Sequence, residues 1–130
     1  MSYSFDKVLK SKSFDEAIEQ VTVELKNEGF GVLTEIDVKE TLKKKIDVDF
    51  RKYKILGACN PHFAYKALQS EDKIGALLPC SVIVQEHDNG SIEVSAVDPV
   101  ASMSAVQNET LGDIALEVQQ KLKQVIDNLN

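Results

Sequence analysis

The sequence predicts an α+β fold, with helices packed on a mainly antiparallel or mixed β-sheet. Three observations carry this reading. The stretch LLPCSVIVQEHDNGSIEVSAV reads as two strands around a tight turn, because alternating apolar residues flank Asp88-Asn89-Gly90. Two long stretches show helical periodicity, one through Phe14, Ala17, Ile18, Val21 and Leu25, the other from Leu111 to Leu129. Strands and helices also interleave, in the rough order β-α-β-α-β-α-β-β-α, with one hairpin among them.

Taken in order, Tyr3 to Lys10 reads as a first strand. Ser13 and Glu16 then form the capping-box pattern of a helix start. Gly29 suits the left-handed position that ends that helix. FGVLTEID is a second strand, and VKETLKKKI a short helix starting near Asp37. YKILGAC is a third strand with apolar residues on both faces, which predicts a central place in the sheet. Asn60 is expected to cap the next helix, with Pro61 in its first turn, where a missing N–H costs nothing. That helix runs from about Pro61 to Gln69, with Phe63, Ala67 and Leu68 inward. SEDKIG reads as a loop. After the hairpin, Asp98-Pro99 stops the last strand, VASMSAV offers a short helical turn, and a long amphipathic helix follows. Its apolar face is Leu111, Ile114, Ala115, Val118, Leu122, Val125 and Leu129.

A chain of 130 residues suits one domain, spanning 1–130, that needs neither disulfide nor metal to fold. The net charge of -6 and the pI near 4.9 argue against nucleic acid or an anionic membrane as partner, because both demand a basic face. The one basic run, TLKKKI, is flanked by Asp37, Glu40, Asp47 and Asp49 and reads as a solvated helix face. The chain shows no signal-peptide pattern and no stretch of membrane-spanning length, so the expected compartment is the cytoplasm, where both thiols stay reduced.

Residues with chemical potential gather in GACNPHFAYKAL and PCS, which hold both cysteines, Cys59 and Cys80, and one of the two histidines, His62. A zinc site needs about four converging donors. His87 lies seven residues beyond Cys80 along a strand, roughly 23 Å away, so Cys59, Cys80 and His62 are the soft ligands left. Cys59 beside a helix start is also a candidate nucleophile, although no orienting third group is identifiable. The cysteines are not in a C-x-x-C pair, and a reversible disulfide would require their Cα atoms within about 7 Å. If the two strands are antiparallel neighbours, the cysteines share one end of the sheet. If parallel, they lie at opposite ends. The helix start at Asn60-Pro61 offers N–H groups to an anion unless Asn60 satisfies them, and no glycine-rich phosphate loop is present.

GACNPHFAYKALQSEDKIGALLPCSVIV resembles the signature of the domain-of-unknown-function family 302. The similarity lies in Gly57 to Pro61, then Ala64, Ala67 and Leu68, then Gly75 and Leu77 to Cys80, with VSAVDP further on. The resemblance implies a small bacterial or archaeal α+β domain. It implies no activity.

The expected function is a binding module for a small molecule or metal ion. Cys59, Asn60, His62, Cys80 and Ser81 are its ligand-binding candidates, and Cys59 and Cys80 the metal candidates. No cofactor is identifiable, and no catalytic residue is assigned. A thiol-dependent enzyme with Cys59 as nucleophile and an interaction domain without chemistry are the alternatives. A homodimer is expected if the first strand lies at a sheet edge, where it exposes unpaired backbone groups.

Overall fold

A computed structural model describes residues 2–130. Five strands form one sheet: β1 (Ser4–Leu9), β2 (Gly31–Asp37), β3 (Tyr53–Cys59), β4 (Cys80–Glu86) and β5 (Ile92–Val97). Their spatial order is β1-β5-β4-β3-β2, and every neighbouring pair is antiparallel. Of the two sheet types expected, the antiparallel one is therefore found. The first strand does lie at an edge. β3 is flanked on both sides, by β4 and by the other edge strand β2, so it is interior without being the centre.

The connections follow from local chemistry. α1 (Phe14–Asn27) opens with the full reciprocal capping box: Glu16 N–H donates to Ser13 Oγ at 3.2 Å, and Ser13 N–H to Glu16 Oε1 at 2.9 Å. The same bonds hold the Glu16 carboxyl below its ordinary pKa. Gly29, at φ +86°, turns the chain out of the helix. α1 thereby links the two edge strands, β1 and β2, and packs on β4 and β5 between them. α2 (Val38–Ile46) is capped by Asp37 but buries no residue. α3 (Pro61–Ser70) follows β3, and a 3-10 turn at Ile74–Leu77 stands where a loop was expected. The β4–β5 hairpin turns at Asp88-Asn89-Gly90, with Gly90 N–H donating to the His87 carbonyl and Gly90 at φ +85°. α4 (Pro99–Ser102) is a single turn, and α5 (Glu109–Asp127) is the long C-terminal helix.

The β4 and β5 residues of one sheet face, Val82, Val84, Ile92, Val94 and Ala96, are fully buried against α1 and α5. On the other face Ser81 is exposed and Ile83 and Gln85 are half-buried. All seven apolar residues expected inward on the last helix are buried, Leu129 just past its end included.

Buried apolar residues divide into two clusters. The larger lies between the sheet, α1 and α5. The smaller joins Ala67 of α3, Ile74 of the 3-10 turn, Met103 after α4, and Leu111 and Ala115 of the first half of α5. The division arises because the β3–β4 connection is long. α3 packs on α5, with Ala67 in the smaller cluster beside Ile74 of the 3-10 turn, while Phe63 of the same helix packs against the larger one.

Candidate functional site

Antiparallel pairing of β3 and β4 brings the two cysteines to the same end of the sheet. Cys80 opposes Ala58, and Cys59 lies one position beyond. Both are free thiols; Cys80 is buried and Cys59 half-buried. Their crossing point is tight. Gly57 opposes Ser81, and a Cβ on Gly57 would collide with Thr34 Oγ1 and sit 2.8 Å from Pro79 Cγ. The glycine of the GACNP stretch is thus a packing requirement, which lets Pro79 lie across β3.

Where the two clusters meet, a cavity of about 320 Å³ opens. Phe30, Ala58, Cys80, Ile114 and Val118 line it from the main core, and Ala67, Leu78, Met103, Leu111 and Ala115 from the smaller one. Cys59, Asn60 and Phe63 also contribute to the wall. Leu33 and Leu68 belong to the lining and yet are 68% and 45% exposed, so they form an apolar mouth. Leu68 was expected inward and instead stands at this rim. Among the described residues, none that lines the cavity carries a charge.

Asn60 departs from its expected role. It occupies the N-cap position of α3, but its side chain makes no capping bond. Instead its Nδ2 donates to the Glu28 carbonyl at 3.5 Å. The amide thereby ties the β3–α3 junction to the turn after α1. Gly29 leaves room for it, since a Cβ there would approach Nδ2 to 3.1 Å. Asn60 is only 8% exposed.

The other candidates lie elsewhere. His62 is exposed on α3 and does not line the cavity. Ser81 is exposed on the opposite sheet face from Cys80, as strand alternation requires. His87, expected to be solvated, has its Nε2 3.0 Å from Glu93 Oε1 in the hairpin. Among the described residues, no group of three or more His, Cys, Asp or Glu is placed to hold a metal ion. Burial, reinforced by the neighbouring Cys59, pushes the Cys80 thiol up to about 11. At neutral pH the thiol is protonated and sits as a small, weakly polar group in the wall. No helix among the described residues is long and apolar enough to cross a membrane.

Sequence reasoning located the junction of the two motifs but missed most of the wall, including Phe30, Met103, Ile114 and Val118. The available signal was the density of apolar residues in IGALL and VASMSAV, too high for solvated connections.

Comparison with known proteins agrees with the fold. The profile of the family "Domain of unknown function DUF302" matches residues 5–129. A crystal structure of an uncharacterized conserved protein DUF302 from Bacillus stearothermophilus is similar, with a TM-score of 0.89 and 29% sequence identity, covering 98% of each chain. No curated protein matches the chain.

Proposed function

This chain belongs to the DUF302 family, and on that footing we propose that it is a binding module for a small, largely apolar molecule held at the junction of the GACNP and LLPCS segments. The observation that carries the reading is the uncharged cavity of about 320 Å³ between the two clusters. Its size is that of small-molecule sites, and its few polar groups, at Cys59, Asn60 and Cys80, suit orientation rather than charge pairing. A metal ion fits this wall poorly, since it would have two thiols and no carboxylate or imidazole beside it. A thiol enzyme would need a base near Cys59, and no His, Asp, Glu or Lys shares the cavity.

The test is titration with N-phenyl-1-naphthylamine, an uncharged dye that fluoresces in apolar surroundings. Saturable binding of one dye per chain is expected. Ala64→Leu, which places a larger side chain in the wall of α3, should weaken it about tenfold while the helical circular dichroism is retained. Absence of saturable binding, or equal binding by the folded variant, defeats the proposal.

The edge position of β1 supports a second proposal, a homodimer that pairs this strand with its copy. Light scattering should give a mass near twice 14.4 kDa, and a monomer mass at high concentration excludes it.

A further inference from the structure

The polar groups of the cavity wall narrow the chemistry of what it holds. With no charged residue in the wall, a buried ionic group would lose its hydration without compensation. The wall is therefore selective for uncharged molecules. Its one strong hydrogen-bonding side chain is Asn60, more than nine-tenths buried. The Glu28 carbonyl can only accept, so the amide nitrogen must face it, and the orientation of the carboxamide is thereby set. This bond is long, 3.5 Å, and uses one of the two amide hydrogens. Among the described residues, no donor reaches Asn60 Oδ1. Oδ1 is not a buried orphan, so it is open to accept a hydrogen bond from outside the chain, from water or from a ligand's donor when one is seated. Size adds a second constraint. An apolar cavity of about 150 Å³ holds benzene, so one of 320 Å³ takes about twice that many heavy atoms.

Resting on the binding reading above, we propose that the ligand is an uncharged molecule with one hydrogen-bond donor on an apolar body of about ten to twelve heavy atoms, its donor bonded to Asn60 Oδ1. The apolar body lies between Ala58, Phe63, Met103, Leu111 and Ile114. The donor end lies where β3 gives way to α3. A primary alcohol or an amide of medium chain length has this form; a free carboxylate does not.

Three probes of one length separate these demands. They are 1-decanol, its isomer methyl nonyl ether, and decanoate, each used to displace N-phenyl-1-naphthylamine at mildly alkaline pH. The alcohol should bind about tenfold more tightly than the ether, which has the same atoms and no donor. Decanoate, ionised, should bind more weakly than the alcohol. In Asn60→Leu the preference for alcohol over ether should vanish. The ratio in the unaltered protein decides the matter even if that variant does not fold. Equal binding of alcohol and ether, or tighter binding of decanoate, overturns the proposal while the cavity remains a binding site. Dye binding that none of the three displaces does the same. Failure of the dye itself to bind removes the binding reading and this one together.

Discussion

At Gly57 three segments meet: β3 itself, Thr34 of β2 and Pro79 at the entrance of β4. An alanine there must push Thr34 or Pro79 aside, and Pro79 lies in the wall of the cavity. Gly57→Ala should therefore cost about 1–3 kcal/mol of stability in urea unfolding. An unchanged midpoint would show that the β3–β4 crossing relaxes freely. The cysteines invite a different measurement. An ordinary thiol titrates near 9.0, and the folded Cys80 near 11. The raised value means that the thiol's contribution is complete below about pH 9 and is lost as pH rises through about 11, at roughly 1.4 kcal/mol per unit in between. Cys80→Ala should abolish that part of the alkaline slope, so wild type and variant should converge in stability with rising pH. Parallel pH profiles would refute the burial argument. The sequence placed Asn60 at the right position and misjudged its bond. The partner, Glu28, is 32 residues away, and no local pattern encodes an amide reaching across a turn.

Among the elements, those that were legible are those whose chemistry is local. The capping box of α1, the left-handed Gly29 and the Asp88-Asn89-Gly90 turn all depend on residues within a few positions of each other. The long periodic faces of α1 and α5 were equally plain. Short elements were harder to read. The 3-10 turn at Ile74–Leu77 has no period to reveal it, and its role emerges only when Ile74 meets Met103 and Leu111. The α3 stripe was misread at Leu68 because the surface it meets is a cavity mouth rather than a filled core. α5 also carries a residue that its packing does not need. Gly112 is exposed in the second turn, and a Cβ there would meet nothing within 4 Å. Gly112→Ala should stabilise the protein by about 0.5–1 kcal/mol, read as a higher urea midpoint. A lower midpoint would show a constraint on that turn that packing does not reveal.

For the molecule as a whole, the α+β class followed from the order and pattern of the segments, whereas the edge position of β1 entered the sequence reading only as a condition and is read from the strand order β1-β5-β4-β3-β2. The cavity did not follow, since it belongs to no segment. It lies where two groups of buried side chains meet, both of them drawing on α3 and α5. That seam has a thermodynamic consequence. A molecule seated there is in effect a core residue that the gene does not encode. It would press on both groups at once, and its binding free energy would add to the folding free energy by mass action, about 2.7 kcal/mol at a concentration one hundred times its dissociation constant. Next to the 5–15 kcal/mol that typically holds a domain folded, such an increment is large. The lifetime of the protein against unfolding and proteolysis would then rise and fall with the supply of the compound. In such an arrangement abundance itself reports occupancy, and the fold needs no moving part to act as a gauge.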